Sequence, residues 1–216
     1  QSLENKEGYN LSLITATIKK ISPDFKGKIN IITNVPEKSG LGGSSSLVVA
    51  MIKALTKYKK SILTPHEIAK LAYLIERKIV NIKGGYQDQW AAAFGGGVNY
   101  LEFRKNNVFL EPLWLHESLM KKIENNILLF YFEPRKNNSS ETHKKLEIDF
   151  KKNKNESLNI LINRRDNVMK TRKALLKNEF NKFAELLNQE QKYKEALNSK
   201  TTTLISSVIY EEALNN

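Results

Sequence analysis

Apolar positions recur along most of the chain at helical spacing. Leu11, Leu13, Ile14, Ile18 and Ile21 predict a helix over 9–21, which Ser22-Pro23-Asp24 interrupts. Residues 28–35 (KINIITNV) are dense in β-branched side chains and predict a strand. A glycine- and serine-rich loop fills 36–46, and 47–58 predicts a helix that starts apolar on most sides. The next helix has a marked beginning at Thr64-Pro65-His66-Glu67: an N-cap threonine, a proline at the first helical position and a glutamate three residues after the cap. Ile68, Leu71, Ala72, Ile75 and Ile79 form its expected buried stripe. Residues 87–94 predict a short helix stopped by three glycines, and 98–103 a strand. Residues 126–132 (NILLFYF) predict a second buried strand, followed by a polar loop over 134–140. Helices are expected at 163–176, 179–196 and 204–214, and no internal repeat is present.

Composition narrows the classes. With 216 residues the chain suits one large domain or two small lobes. The absence of cysteine excludes disulfide scaffolds, thiolate metal sites and cysteine nucleophiles. His66, His116 and His143 share no metal-binding spacing, and no apolar run reaches the 18 residues of a membrane span. The first residues are polar and mixed in charge, unlike a signal peptide. The net charge of +12 raises the question of a nucleic-acid partner. The excess comes from 29 Lys against 6 Arg, accompanied by 23 Asn, and both halves of the chain share it. Arginine, the usual base reader, is scarce, so the balance reflects a Lys- and Asn-rich composition and no nucleic-acid partner is expected.

The loop between the expected strand and helix carries chemistry. It reads Val35-Pro36-Glu37-Lys38-Ser39-Gly40-Leu41-Gly42-Gly43-Ser44-Ser45-Ser46. Glycines let backbone N–H groups turn toward an anion, and a following helix adds unpaired N–H groups and a positive dipole end. Together they make a phosphate cradle, to be weighed against a plain tight connection capped by serine. A Walker A loop would need Gly-Lys-Ser/Thr, and a dinucleotide fingerprint would need glycine at Ser45; neither fits. Downstream stand two acids. Glu76 flanks the apolar stripe of the capped helix without a lysine at i+4, and read alone it is a solvated helix glutamate. Asp88, one of four aspartates, lies in Gly84-Gly85-Tyr86-Gln87-Asp88-Gln89-Trp90 ahead of an alanine run, a context that reads either as a helix N-terminal acid or as a close-packed cleft.

The string Pro-x3-Gly-Leu-Gly-x-Ser resembles the nucleotide-binding motif of the GHMP kinases, with Gly43 in place of the usual first serine. The segment GGYQDQWAAAFGG is similar to that of the sugar-1-kinase branch, including the heptose 7-phosphate kinases, with Trp90 where tyrosine is common. The resemblance implies an α+β, two-lobed fold: an S5-domain-2-like N-lobe over 1–104 and a ferredoxin-like C-lobe over 105–216. Both lobes are expected to be incomplete, because the family's first and third motifs are absent from these 216 residues. It implies ATP and Mg²⁺ as cofactors and a sugar phosphate as substrate, in a cytoplasmic enzyme without a membrane partner. Nucleotide contacts fall on Pro36, Ser39, Gly40, Leu41, Gly42, Gly43, Ser44 and Ser45. Ser44 and Glu76 would hold the metal, and Asp88 would act as catalytic base or orienter. Gly84, Gly85, Gln87 and Arg135 would meet substrate, and Lys192 and Lys194 match a basic helical stretch of the family. The implied reaction is phosphorylation of a heptose 7-phosphate at its anomeric hydroxyl. The competing expectation is an inactive kinase remnant, with a basic nucleic-acid binder behind it.

Overall fold

The computed structural model describes residues 11–36, 39–105, 107–131, 148, 150, 153–197 and 204–215. The chain divides into two compact units, 1–96 with 133–141, and 97–132 with 142–216.

The described part of the first unit is helical. It comprises α1 (Leu11–Ile21), α2 (Gly43–Tyr58), α3 (Pro65–Tyr73), a π-turn that continues it (Leu74–Ile79), and α4 (Gln87–Phe94). α2 is the hub, packing against α1, α3 and α4. Its Val48, Val49, Ile52 and Leu55 meet a core that includes Leu13, Ile68, Ala69, Ala72, Ile75, Trp90 and Ala93. Enclosing an isoleucine such as Ile52 or Ile75 contributes about 1.5–3 kcal/mol. The small residues at 69, 72 and 93 let the helices approach closely, and Lys53 Nζ donates to the Ala93 carbonyl (3.0 Å), tying α2 to α4. α3 starts at the capping box expected from its sequence. The Glu67 amide donates to Thr64 Oγ1 (3.3 Å), and the Thr64 amide donates back to Glu67 Oε2 (2.7 Å).

Two expectations change here. α2 begins at Gly43, four residues before the apolar pattern does, so Ser44, Ser45 and Ser46 form its first turn. The stripe of α3 is rotated: Ile79 is 49% exposed, while Ala69 and Glu76 are sealed. Ala69 and Glu76 share the ordinary helical face of Ala72, and Ile79 leaves it because of the π-turn, in which the Val80 amide reaches back five residues to the Ile75 carbonyl (2.9 Å) and the extra residue shifts the helical phase.

In the second unit β1 (Val98–Arg104) and β2 (Asn107–Leu113) form an antiparallel hairpin, in register from Val98↔Leu113 to Arg104↔Asn107. Lys105 in the turn has φ 48°. α5 (Glu117–Asn126) follows, then α6 (Lys154–Leu176), α7 (Phe180–Leu197) and α8 (Leu204–Asn215). Leu113, Leu119, Ile123 and Leu175 build the core, flanked by Val98, Tyr100, Phe180 and Phe183. Arg172 clamps the hairpin to α6: its Nη2 reaches both Glu111 oxygens (2.7 and 2.8 Å) and its guanidinium lies over the Tyr100 ring. β2 and α5 were not expected from the sequence. α6 begins nine residues before its expected start.

Neither expected apolar strand outside the hairpin forms. Residues 28–36 and 127–131 have no regular secondary structure, and Ile32 (89%) and Leu128 (79%) are exposed. β-branched and aromatic side chains favour a pleated, half-buried surface, but a strand exists only where a neighbour completes its ladder. Among the described residues, β1 and β2 pair only with each other.

The capping box makes a testable contribution to stability. Thr64→Ala should cost about 1 kcal/mol in chemical denaturation. The Thr64 amide and hydroxyl hold the Glu67 carboxyl below the ordinary carboxylate range. Its folded pKa is thus lower than its unfolded one, so its contribution is full at neutral pH and is lost as pH falls through the lowered value. The protein should be more stable than its Glu67→Gln variant at neutral pH, with the difference fading on acidification below pH ~4.

Candidate functional site

The glycine loop leads into α2 through two left-handed residues, Gly40 (φ 82°) and Gly42 (φ 71°). Gly42 is the N-cap residue, and no side chain caps the helix. The helix amides at Gly43, Ser44 and Ser45 therefore lack intrahelical acceptors at its positive end, while Ser46 closes the first bond to the Gly42 carbonyl (3.0 Å). Gly40, Gly43, Ser44 and Leu41 are exposed, so this donor-rich turn is open to solvent.

Glu76 lies opposite the start of α2 and is completely buried, on the π-turn rather than on a solvated face. Ser44 Oγ donates to Glu76 Oε1 (3.0 Å) and Ser45 Oγ to Oε2 (2.7 Å). Gln89 Nε2 donates to the same Oε2 and to Ser45 Oγ (3.2 Å). Arg77 Nη1 stands 3.8 Å from Oε1. The serines from the start of α2, the acid from the π-turn and the amide from α4 thus converge on one carboxylate.

Asp88, in the first turn of α4, faces the loop. A Cβ built on Gly42 would lie 3.6 Å from Asp88 Cβ and Cγ, so the acid packs against the glycine that turns the chain into α2. Gly84 and Gly85 serve Arg77. A Cβ on Gly84 would fall 2.7 Å from Arg77 Nη2, and Arg77 Nε donates to the Gly85 carbonyl (3.2 Å). The guanidinium therefore shapes the segment that delivers Asp88.

The structure brings Gly42, Ser44, Ser45, Glu76 and Asp88 together. The Ser45 hydroxyl points inward to Glu76, leaving its amide on the loop side. Pro36 and Gln87 are exposed, and Ser39 is half-buried. Arg135 lies outside the described residues. Lys192 and Lys194 are exposed on α7. Sequence reasoning missed Gln89 and Arg77, although both sit beside the two acids it singled out. It also missed that Glu76, at i+4 from Ala72 and i+7 from Ala69, belongs to the buried face.

The donor set suits a hard divalent cation. The Ser44 hydroxyl and Glu76 Oε1 are two oxygen atoms brought together from α2 and the π-turn, on an exposed and a buried residue, and could serve as ligands. No cluster of three or more acidic, histidine or cysteine side chains occurs among the described residues. Further ligands would have to come from water or phosphate oxygens, the usual situation for Mg²⁺.

Residues 12–96 match the family model of the GHMP kinases N terminal domain. Over these residues the chain is similar to the N-terminal domain of the GHMP kinases. The chain is 33% identical over 213 residues to D-glycero-alpha-D-manno-heptose 7-phosphate kinase of Campylobacter jejuni, covering 95% of itself and 61% of that protein. Among solved structures, it is similar to a D-glycero-D-manno-heptose 1-phosphate kinase from Bacteroides thetaiotaomicron (TM-score 0.63, 29% identity, 90% of this chain and 58% of that one). A Campylobacter jejuni protein described as a candidate sugar kinase gives a TM-score of 0.64 at 30% identity, over 99% of this chain and 61% of that one. The α+β architecture is therefore that of GHMP-family sugar kinases. The chain spans about three fifths of the length of these relatives.

The loop geometry separates two adjacent glycines. Gly42→Ala places a side chain at φ 71° and should cost about 1–2 kcal/mol. Gly43 is helical with nothing within 4 Å of a built Cβ, so Gly43→Ala should be neutral or stabilising by up to about 1 kcal/mol. Denaturation midpoints of the two variants distinguish them, and equal losses would refute the geometry.

Proposed function

We propose that this chain is the core of an ATP-dependent sugar-phosphate kinase. The observation that carries the reading is the position of Asp88 against Gly42, on the same loop whose Ser44 bonds Glu76. In this reading Pro36 and the Ser39–Ser45 loop hold the nucleotide phosphates through backbone amides and the α2 dipole. Ser44 and Glu76 hold Mg²⁺, which would neutralise charge on the phosphate oxygens. Asp88 accepts or orients the proton of the attacking hydroxyl. Gly84, Gly85, Gln87 and Arg135 contribute to the substrate side. The hydroxyl oxygen forms a bond to the γ-phosphorus, the bridging bond to the β-phosphate breaks, and ADP leaves.

The substrate proposed is a heptose 7-phosphate, which the likeness to the Campylobacter kinase supports, with the anomeric hydroxyl as acceptor and a 1,7-bisphosphate as product. The Bacteroides relative is described as acting on the heptose 1-phosphate, so both phosphates belong in the assay. The reading expects ADP release with heptose 7-phosphate and a phosphate ester at the anomeric carbon of the product. Asp88→Asn should lower kcat about 10²–10⁴-fold while nucleotide binding persists. No ADP from any of a panel of sugars and sugar phosphates would reject the kinase reading, and turnover of the 1-phosphate alone would reject the proposed substrate.

A further inference from the structure

The two oxygens of Glu76 have unlike surroundings. Oε2 receives bonds from the Ser45 hydroxyl and the Gln89 amide, and all three residues are at most 1% exposed. Oε1 receives the exposed Ser44 hydroxyl, with Arg77 at 3.8 Å. The Gln89 nitrogen commits both protons, one to Oε2 and one to Ser45 Oγ, while Ser45 donates onward to Oε2. The result is a closed triangle of carboxylate, hydroxyl and amide. Gln89 Oε1, buried and without a partner, marks the amide as held for its donor end. Turning it over would set two acceptor oxygens against each other.

We propose that Gln89, acting through Ser45, is a positioning residue that locks Oε2 and leaves Oε1 as the single Glu76 oxygen offered, with Ser44 Oγ, to a divalent cation. A carboxylate pinned on one oxygen cannot rotate to chelate with both, and its position is set before the cation arrives. Partners of this kind typically change metal affinity 10–100-fold when removed. The inference rests on the kinase reading of the same site.

The test is Mn²⁺ binding in the presence of ADP, followed by electron paramagnetic resonance. ADP binding without metal and thermal unfolding are measured on the same samples. Gln89→Leu should weaken Mn²⁺ about 10–100-fold and change metal-free ADP affinity less than twofold. Gln89→Asn, which keeps an amide but draws it back from Glu76, should act in the same direction and decides the matter if Gln89→Leu does not fold. Unchanged Mn²⁺ affinity in a folded variant overturns the inference and leaves the kinase reading standing. So does a parallel loss of metal-free ADP, which would mark a general loosening of the loop. If the unaltered protein binds neither ADP nor Mn²⁺ with ADP, the kinase reading falls and the inference with it.

Discussion

A carboxylate with no solvent exposure governs the first unit. Desolvating an ionised acid without partners would cost several kcal/mol, so Glu76 can be where it is only if donors are brought to it. They come from two directions, the first turn of α2 and the first turn of α4. This requirement fixes where α2 must begin and explains why three serines that look like loop are helix. It also sets the role of the π-turn. In a chain that buries Ala69, Ala72 and Ile75 on one face, Glu76 shares that face, and the widened turn lets the chain leave the core immediately afterwards at Ile79.

The open side of the same arrangement is the glycine loop. Because the N-cap residue is Gly42, which has no side chain, no side chain caps α2, and its first amides lack an intrahelical acceptor. The inward satisfaction of the acid and the outward availability of the donors are two consequences of one turn. Gly42 joins them: its left-handed backbone makes the turn, and its missing side chain admits Asp88.

The sequence revealed the parts of this site that depend on local chain geometry. The capping box at Thr64–Glu67, the glycine loop and the short helix carrying Asp88 each declare themselves within a dozen residues. Gln89 and Ser45 do not, since their meeting spans 44 positions and closes only when three helices pack. The two missing strands show the same division from the other side. The propensity of KINIITNV is local, but the partner that would make it a strand is not. β2 and α5 escaped notice for a humbler reason: a proline beside a glutamate blurs the first, and the second has only Leu119 and Ile123 buried.

The kind of donor at Glu76 matters as much as the number. The chain is rich in lysine, yet the bonds to this carboxylate come from two hydroxyls and an amide. Arg77 stands at 3.8 Å, with its Nε engaged by the Gly85 carbonyl. The two hydroxyls and the amide replace the hydration that the carboxylate loses on burial, and Arg77 adds an ion pair on the Oε1 side. The +12 balance of the whole chain is therefore a poor guide to this site, whose electrostatics are set by two hydroxyls, one amide and the Arg77 guanidinium.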